Sequence, residues 1–229
     1  MKVLIFSDIH SNLEAMQQVV EKERFDKAIF LGDIVDYGPN PAETLDLVLK
    51  ESDFIVQGNH DFAVATGEDC HCAPEMHDLS ELTRQEISLK LLGNEDRKKL
   101  AQLKTQEITS IDGKKVLMVH ASPNNPLFGY LFSTEAEMVW KNANYKQYDF
   151  IMIGHTHFPM FYRGRIINPG SAGQPRDGNW MPMYAVLDTE SGDLTYKRFK
   201  YDRNRMLEKL SKLLEKHPSE LERLKKLYV

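Results

Sequence analysis

A repeated pattern of apolar and polar positions organises the beginning of the chain. Three short apolar runs, residues 3–6, 28–31 and 54–56, each lead into a polar cluster and then into a stretch with helical spacing. Short runs rich in β-branched and aromatic residues are typical of buried strands. Their alternation with helices predicts βαβ units and a parallel sheet.

The polar clusters that follow these runs are residues 7–10, 32–33 and 58–61. In an open α/β sheet, ligands gather beyond the carboxyl ends of the strands, so we expect all three clusters at one functional edge. Two helix starts are marked nearby. Residues 11–14 (Ser-Asn-Leu-Glu) fit a capping box, and Asn40 followed by Pro41 fits a cap with proline in the first turn.

Later segments extend the α/β pattern. Residues 61–103 are charged and helical without a clear strand, and residues 108–120 predict a hairpin that turns at Asp112 and Gly113. We expect a helix over residues 134–145 with Thr134 as its cap. Further strands are predicted at residues 150–153, 160–163, 165–168, 183–188 and 194–199.

After Tyr201, leucines recur at helical spacing on both sides of Pro218. We interpret this as two terminal helices that pack back on the body, with a dimer contact as the alternative. The predicted class is therefore α/β. We expect a single domain over residues 1–229, in which residues 201–229 are a helical appendage.

Composition narrows the possible partners. The net charge of −5 and the pI of about 5.9 disfavour a duplex nucleic acid as the main partner, since no basic field is present. No apolar run approaches the length of a membrane span, and none near the start resembles a signal peptide. Two cysteines are too few for a disulfide framework, so we expect a reducing cytoplasm. The sequence is compatible with a homo-oligomer and with a monomer.

Candidate metal ligands end or interrupt five predicted strands. They are Asp8 with His10, Asp33, Asn59 with His60, His120, and His155 with His157. Each alone is typical of a cap, a turn or a structural histidine. Together at one edge, several carboxylates and imidazoles are costly unless a cation compensates. The oxygen and nitrogen ligands, with no thiolate, suit Mn, Fe, Mg, Ni or catalytic Zn.

These blocks, in order, resemble the motif set of the calcineurin-like metallophosphoesterases. The blocks are Asp8-Ile9-His10, Gly32-Asp33-Ile34-Val35-Asp36, Gly58-Asn59-His60-Asp61, His120 and Gly154-His155-Thr156-His157. Residues 36–41 and 168–177 resemble a prokaryotic branch of small phosphodiesterases and diadenosine tetraphosphate hydrolases. The resemblance implies a four-layer α/β/β/α sandwich with two mixed sheets.

The resemblance also implies the roles of these residues. Asp8, His10 and His157 would bind a first divalent metal ion, Asp33 would bridge, and Asn59, His120 and His155 would bind a second. His60, oriented by Asp61, would assist the leaving group. Two cations can share a water and turn it into hydroxide near neutral pH, which would hydrolyse a phosphodiester, phosphomonoester or dinucleoside polyphosphate. Manganese is the favoured metal.

Three residues are candidates for contacting this small phosphorylated substrate, which a nucleotide would fit. Arg176 could clamp a phosphate with its forked guanidinium, and Tyr37 could line the pocket. The helix that begins near Asn12 directs free N–H groups to the same edge. A surface arginine and a turn tyrosine are the alternatives for the first two.

Several alternatives remain at this point. The substrate could instead be a phosphoprotein, as for a serine/threonine-type protein phosphatase, or the chain could be a non-catalytic metal-binding scaffold. Cys70, His71 and Cys72, with His77, could form an extra zinc site, although an ordinary loop is favoured. Tyr130, Phe132 and Trp140 could stack on a base, although core packing is favoured.

Overall fold

Ten strands form two mixed sheets of five strands each in the computed structural model, which describes residues 1–229. The strands are β1 (Lys2–Phe6), β2 (Lys27–Phe30), β3 (Phe54–Ile55), β4 (Gln106–Ile111), β5 (Lys114–Val119), β6 (Phe150–Met152), β7 (Pro159–Tyr162), β8 (Ile166–Pro169), β9 (Met183–Asp188) and β10 (Leu194–Arg198). The first sheet has the order β10-β9-β1-β2-β3, and the second has the order β4-β5-β6-β8-β7.

Parallel pairing in both sheets places the relevant strand ends together. β1 pairs with β2 and β2 with β3 in parallel, and β5 pairs in parallel with β6, which pairs in parallel with β8. The predicted hairpin is present as the antiparallel pair of β4 and β5, with Asp112 and Gly113 in the turn. The polar segments after β1, β2, β3, β5 and β6 therefore follow carboxyl ends of parallel strands.

Nine α-helices accompany the two sheets. They are α1 (Leu13–Lys22), α2 (Pro41–Glu51), α3 (Asn59–Thr66), α4 (Pro74–Thr83), α5 (Leu89–Leu91), α6 (Asn94–Gln102), α7 (Ala136–Lys141), α8 (Arg203–Leu213) and α9 (Pro218–Lys225). A π-helical turn, Arg84–Ser88, joins α4 to α5. The helical, strand-free character predicted for residues 61–103 is confirmed.

The layers follow from the two-residue period of the strands. In β1, Val3 and Ile5 belong to the buried cluster between the sheets, whereas Leu4 and Phe6 belong to the cluster under α1 and α2. In β5, Val116 and Met118 face the first sheet, and the intervening Leu117 packs with α7. Successive side chains of a strand point to opposite faces, so apolar strands of this kind separate two cores. The predicted α/β/β/α sandwich is confirmed.

Two helix starts differ from the sequence prediction. Asn12, not Ser11, caps α1, because its Oδ1 accepts a hydrogen bond from the Ala15 N–H at 3.1 Å. Ser11 instead has a positive φ of 54°. The helix predicted over residues 134–145 is also shorter: α7 covers Ala136–Lys141, follows Glu135 without a side-chain cap, and ends before Asn142. Asn142 accepts from the Asn144 N–H and starts a separate 3-10 turn, which explains the early end.

The two predicted terminal helices are present and pack on the body of the same chain. Met206, Leu210 and Leu224 share a buried cluster with Tyr37 and Leu79. Lys209 of α8 also contacts the buried Glu14 of α1 at 2.7 Å. This is the intramolecular packing that the sequence favoured over a dimer contact. The structure has no helix whose length and apolar character would allow it to cross a membrane.

The packing of α8 generates a stability prediction. Leu210 is fully buried, whereas Leu213 on the same helix is 36% exposed. Leu210→Ala should lower the free energy of unfolding by about 2–5 kcal/mol, because it removes buried methyl groups and leaves a cavity. Leu213→Ala is the matched control and should lose much less. Urea unfolding of both variants measures the difference, and equal losses would contradict the observed packing of α8.

Candidate metal centre

Asp8, His10 and His157 form the first of two compact groups of donor atoms. His157 Nε2 lies 3.3 Å from His10 Nε2 and 3.3 Å from Asp8 Oδ1. Asp8 and His10 follow β1, and His157 follows β6 on the opposite sheet. All three side chains are buried. The group therefore joins the two sheets at their common edge.

The second group contains Asp33, Asn59, His120 and His155. His120 Nε2 lies 3.0 Å from Asn59 Oδ1 and 3.2 Å from Asp33 Oδ2. His155 Nδ1 lies 3.1 Å from Asn59 Oδ1 and 3.2 Å from His120 Nε2. These residues follow β2, β3, β5 and β6, so four parallel strands contribute to one cluster.

Asp33 lies between the two groups. Its Oδ2 atom is 3.8 Å from His10 Nε2 in the first group and 3.2 Å from His120 Nε2 in the second. Its other oxygen, Oδ1, accepts a hydrogen bond from the His60 N–H at 3.0 Å. The structure thus brings all seven sequence-predicted ligands together, with Asp33 where a bridging carboxylate would be needed.

The donor atoms fit a pair of divalent cations. In each three-residue set, Asp8-His10-His157 and Asp33-His120-His155, the donor atoms lie within 4.8 Å of one another. Buried oxygen and nitrogen lone pairs at such distances repel unless a positive charge lies between them. Carboxylate, amide and imidazole donors without thiolate suit catalytic divalent metals rather than a closed structural zinc site.

Backbone carbonyls orient three of the four imidazoles. His10 Nδ1 donates to Val35 O at 3.0 Å, and His120 Nδ1 donates to Leu31 O at 2.7 Å. His157 Nδ1 donates in the same way to Gln174 O. A histidine that donates through one ring nitrogen presents the lone pair of the other, which is the usual arrangement of metal ligands. His155 differs, because its Nδ1 faces the cluster.

The ligand loops adopt an unusual backbone conformation. Asp8, His10, Asp33, His155 and His157 all have positive φ values, between 48° and 65°. A non-glycine residue in this left-handed region costs roughly 1–2 kcal/mol, and such strain concentrates at functional sites. A Cβ atom on Gly58 would lie 2.1 Å from Asp33 Oδ1, so the close approach of these loops needs glycine there.

Burial and mutual charge shift the pKa values of the ligands in different directions. Burial lowers the pKa of His10 to about 3 and also lowers those of His155 and His157 well below their usual range. Burial raises the pKa of Asp8 to about 7. Burial opposes protonation of His120, but the Asp33 carboxylate outweighs it and raises that pKa to about 9. Cations therefore compete with protons mainly at Asp8 and His120, and acid should weaken metal binding.

His60 lies beside this centre without joining either group. Its ring is edge-on to His10, with centroids 5.1 Å apart, and its Nδ1 lies 3.0 Å from Asp36 Oδ2. Burial opposes protonation, but the Asp33 and Asp36 carboxylates outweigh it, so the pKa of His60 is raised. A buried histidine held by a carboxylate in this way can act as a proton donor.

Asp36 is in turn held by two buried groups. The Arg84 guanidinium donates to Asp36 Oδ2, with its Nε at 3.2 Å, and Ser88 Oγ donates to Asp36 Oδ1 at 2.7 Å. Sequence reasoning included Asp36 in a motif block without giving it a role, and it did not assign Arg84 or Ser88 to the site. Arg84 and Ser88 lie in the π-helical turn, far along the chain from His60, and carry no recognisable motif.

The predicted role of Asp61 is wrong in its geometry. The Asp61 carboxylate does not orient the His60 ring; its oxygens accept hydrogen bonds from four backbone N–H groups. The donors are those of Asp33 at 2.9 Å, Ile34 at 2.8 Å, Val35 at 3.3 Å and Gly58 at 3.0 Å. Asp61 therefore holds the Asp33 loop against the start of α3, and Asp36 orients His60.

The three predicted substrate residues differ in accessibility. Arg176 is partly exposed and donates to Gln174 Oε1 at 2.9 Å. Burial is the main cause of the lowered pKa of His157, and the positive charge of Arg176 is the next largest, so Arg176 lies near the centre. Tyr37 is fully buried and packs its ring on His10, with centroids 4.9 Å apart. Asn12 is also fully buried and donates to Gly173 O at 2.9 Å. Tyr37 and Asn12 thus support the surrounding loops, and their contact with a substrate stays a prediction.

Two aromatic side chains near the centre are more accessible than expected. Tyr130 and Phe132 are 38% and 39% exposed, and their rings stack with centroids 6.0 Å apart. Tyr130 also contacts the His155 ring at a centroid distance of 4.3 Å. The sequence favoured core packing for both, but they lie in the loop after β5, on the solvent side of the centre. Trp140 does pack against the core of the second sheet.

Residues 68–73 form the ordinary loop that the sequence favoured over a zinc site of Cys70, His71, Cys72 and His77. His77 Nε2 lies 2.9 Å from Asp69 Oδ2 on the surface. The two cysteines instead lie beside His60, and the sulfur and ring-nitrogen atoms of these three residues fall within 4.8 Å of one another. The sequence separation of ten residues between His60 and Cys70 gave no sign of this contact.

Comparison with known proteins agrees with this geometry. The profile of the calcineurin-like phosphoesterase superfamily domain matches residues 1–192. An uncharacterised protein of Methanocaldococcus jannaschii is 35% identical over 92% of each chain. A phosphodiesterase of Escherichia coli, YfcE, is 27% identical over 83% of this chain and 89% of its own. The crystal structure of a metallophosphoesterase from Sphaerobacter thermophilus superposes with a TM-score of 0.78 at 29% identity, covering 100% of both chains.

The position of Asp33 between the two donor groups predicts that a substitution there changes the metal content. Asp33→Asn should lower both metal occupancy and turnover, because an amide lacks the charge that a bridging ligand needs. Removal of a residue that only hydrogen-bonds a metal ligand typically lowers metal affinity or activity roughly 10–100-fold, and the loss in Asp33→Asn should be at least as large. Metal analysis and a hydrolysis assay measure it. Asp46→Asn, at a surface carboxylate that is 69% exposed, is the control, and two bound metals in Asp33→Asn would contradict the assignment.

The contact between Asp36 and His60 predicts a pH effect. The raised pKa keeps His60 protonated to higher pH, so Asp36→Asn should lower that pKa and move the alkaline limb of the pH–rate profile to lower pH. Metal content should stay unchanged, because Asp36 touches none of the ligand side chains described above. An unchanged alkaline limb would show that His60 is not the titrating acid.

Proposed function

Because the chain belongs to the calcineurin-like phosphoesterase superfamily and is a hydrolytic phosphoesterase, we propose that it cleaves a small phosphodiester with two divalent cations. A phosphomonoester or a dinucleoside polyphosphate is a further candidate substrate. The observation that carries the proposal is the pair of buried donor groups that share Asp33. The phosphodiesterase of Escherichia coli, similar over most of its length, supports the choice of substrate class.

We assign the ligands by position in the two groups. Asp8, His10 and His157 would hold one cation, Asn59, His120 and His155 would hold the other, and Asp33 would contact both. Bound there, the cations would act as Lewis acids on the phosphate and would activate a water molecule. Manganese is our proposed metal, since it accepts this mixture of oxygen and imidazole ligands.

His60 would act on the leaving group. Its Nδ1 is held by Asp36 and its ring lies at van der Waals distance from His10, so the remaining Nε2–H is free to donate a proton to the departing oxygen. The raised pKa of His60 keeps that proton in place near neutral pH. Proton donation by a positioned histidine typically contributes about 10²–10⁴-fold in rate.

Arg176 and the exposed aromatics would bind the substrate. Arg176 presents a forked guanidinium that Gln174 Oε1 holds at 2.9 Å, and such a fork suits two phosphate oxygens. Tyr130 and Phe132 offer an exposed apolar face next to His155 for the organic part of the ester, which a nucleoside would fit. We also propose a cytoplasmic location, in keeping with the two free cysteines.

A substrate panel tests the proposed function. The wild type and His60→Ala should be assayed on an aryl phosphodiester, an aryl phosphomonoester, a cyclic nucleotide and a dinucleoside tetraphosphate, each with Mn, Mg, Ni and Zn. We expect the wild type to prefer the phosphodiester. His60→Ala should keep both metals and lose about two to four orders of magnitude in turnover.

Each failure of this panel has a distinct meaning. Hydrolysis of none of the compounds by the metal-loaded wild type would overturn the proposed reaction and favour a binding scaffold. Full activity of His60→Ala with full metal content would overturn the proton-donor role alone.

A further inference from the structure

Cys70 and Cys72 are two thiols that the reaction described above does not use, yet they lie beside its proton donor. Both are free, and their sulfur atoms lie within 4.8 Å of each other and of a His60 ring nitrogen. Cys70 is 1% exposed, whereas Cys72 is partly exposed. A small reagent from solvent therefore reaches Cys72 first, and Cys70 is the buried partner behind it.

The backbone between the cysteines favours their closure into a ring. His71 has a left-handed conformation with a φ of 49°. A turn at this residue brings the flanking Cα atoms closer than the roughly 7 Å spanned by two extended residues, into the range that disulfides adopt. The His71 ring packs edge-on against Phe128, with centroids 4.9 Å apart.

The Cys70 peptide is directly connected to the metal centre. Asn59 Nδ2 donates to the Cys70 carbonyl at 2.8 Å, and this bond turns Asn59 Oδ1 toward His120 and His155. Cys70 Sγ also lies 3.3 Å from Ser80 Oγ, which is 3.4 Å from His60 Nδ1. A change in the conformation of Cys70 therefore reaches one candidate metal ligand and the candidate proton donor.

We propose that Cys70 and Cys72 form a reversible disulfide that weakens binding of the second metal by displacing the Cys70 carbonyl from Asn59. The inference rests on the proposed function, from which it takes the second metal and the hydrolytic activity. The two sulfurs must approach to about 2.0 Å to bond, and drawing them together reorients the intervening peptides. Asn59 then loses the acceptor that orients its side chain.

A hydroperoxide is the oxidant that the geometry admits. One of the two sulfurs attacks one peroxide oxygen, an S–O bond forms as the O–O bond breaks, and the departing oxygen takes up the proton of that thiol to leave as water or an alcohol. The other cysteine sulfur then attacks the sulfenic acid, an S–S bond forms as the S–O bond breaks, and water leaves. Two thiols lose two electrons and two protons, and the hydroperoxide is reduced.

A third metal site is the competing use of the same atoms. His60, Cys70 and Cys72 have the donor types of a zinc site. The Arg84 guanidinium already occupies this region, however: its Nη2 donates to Ser80 Oγ at 2.9 Å and lies 3.1 Å from Asp36 Oδ2, and the side chain is 4% exposed. A metal ion bound by His60, Cys70 and Cys72 would lie against the buried positive charge of Arg84. Because like charges repel, this arrangement favours oxidation of the cysteines over metal binding.

The test uses manganese-loaded wild type and Cys72→Ser, each treated with hydrogen peroxide and then with a thiol reductant. Intact mass reports the disulfide, metal analysis reports manganese per chain, and hydrolysis of an aryl phosphodiester reports activity. We expect the two reduced proteins to be equally active. Peroxide should remove two hydrogens from the wild type and release one of its two metals. Activity should fall about tenfold or more, as on loss of a partner that orients a ligand.

The reductant with added manganese should restore the wild type, and Cys72→Ser should keep its metals and activity throughout. Absence of the mass change, or a disulfide that leaves manganese bound, would overturn the proposal, as would equal losses in Cys72→Ser. A thiolate-to-cobalt charge-transfer band in wild type given Co²⁺, absent in Cys72→Ser, would overturn it in favour of a metal site. If the reduced wild type hydrolyses nothing, the proposed function fails, while mass and manganese content still decide the disulfide.

Discussion

The mutual repulsion of buried lone-pair donors around Asp33 is the constraint on which the rest of this structure depends. Two carboxylates, one amide and four imidazoles converge in buried positions. Burying such groups together is costly unless positive charge compensates. Burial lowers the pKa of His10, whereas at His120 the Asp33 carboxylate outweighs burial and raises the pKa. The two groups of His and Asp donors have the composition and spacing of metal-binding groups.

The two-sheet fold places these donors without long connections. Parallel strands of both sheets end at one edge, so a single residue or a pair at each strand end reaches a common point. Left-handed loop conformations turn the ligands inward, and the backbone carbonyls of Leu31 and Val35 select the ring nitrogen that His120 and His10 present. The strain of the loops is offset by two tightly packed cores on either side of the first sheet.

The helical segment between β3 and β4 completes the site from one side. It supplies His60, Arg84 and Ser88, which together surround Asp36, and it carries the two cysteines. The terminal helices pack on Tyr37 and Leu79 and so brace the same region from outside. The position of His60 thus depends on tertiary contacts among segments distant in sequence, whereas the candidate metal ligands depend mainly on strand ends.

The same difference explains what the sequence by itself determined. Strands, the hairpin at Asp112 and the polar clusters follow from local periodicity and from the rule that parallel strands end together, so the α/β class and one shared functional edge were predictable from the pattern. The four-layer sandwich and the division of the seven candidate ligands into two groups were implied only by the resemblance to the calcineurin-like metallophosphoesterases. Asp36 in place of Asp61 beside His60, the burial of Tyr37 and Asn12, the exposure of Tyr130 and the approach of Cys70 to His60 were not predictable. Each depends on how a loop or a π-helical turn is packed against a distant segment, and no local pattern of residues encodes that packing distance.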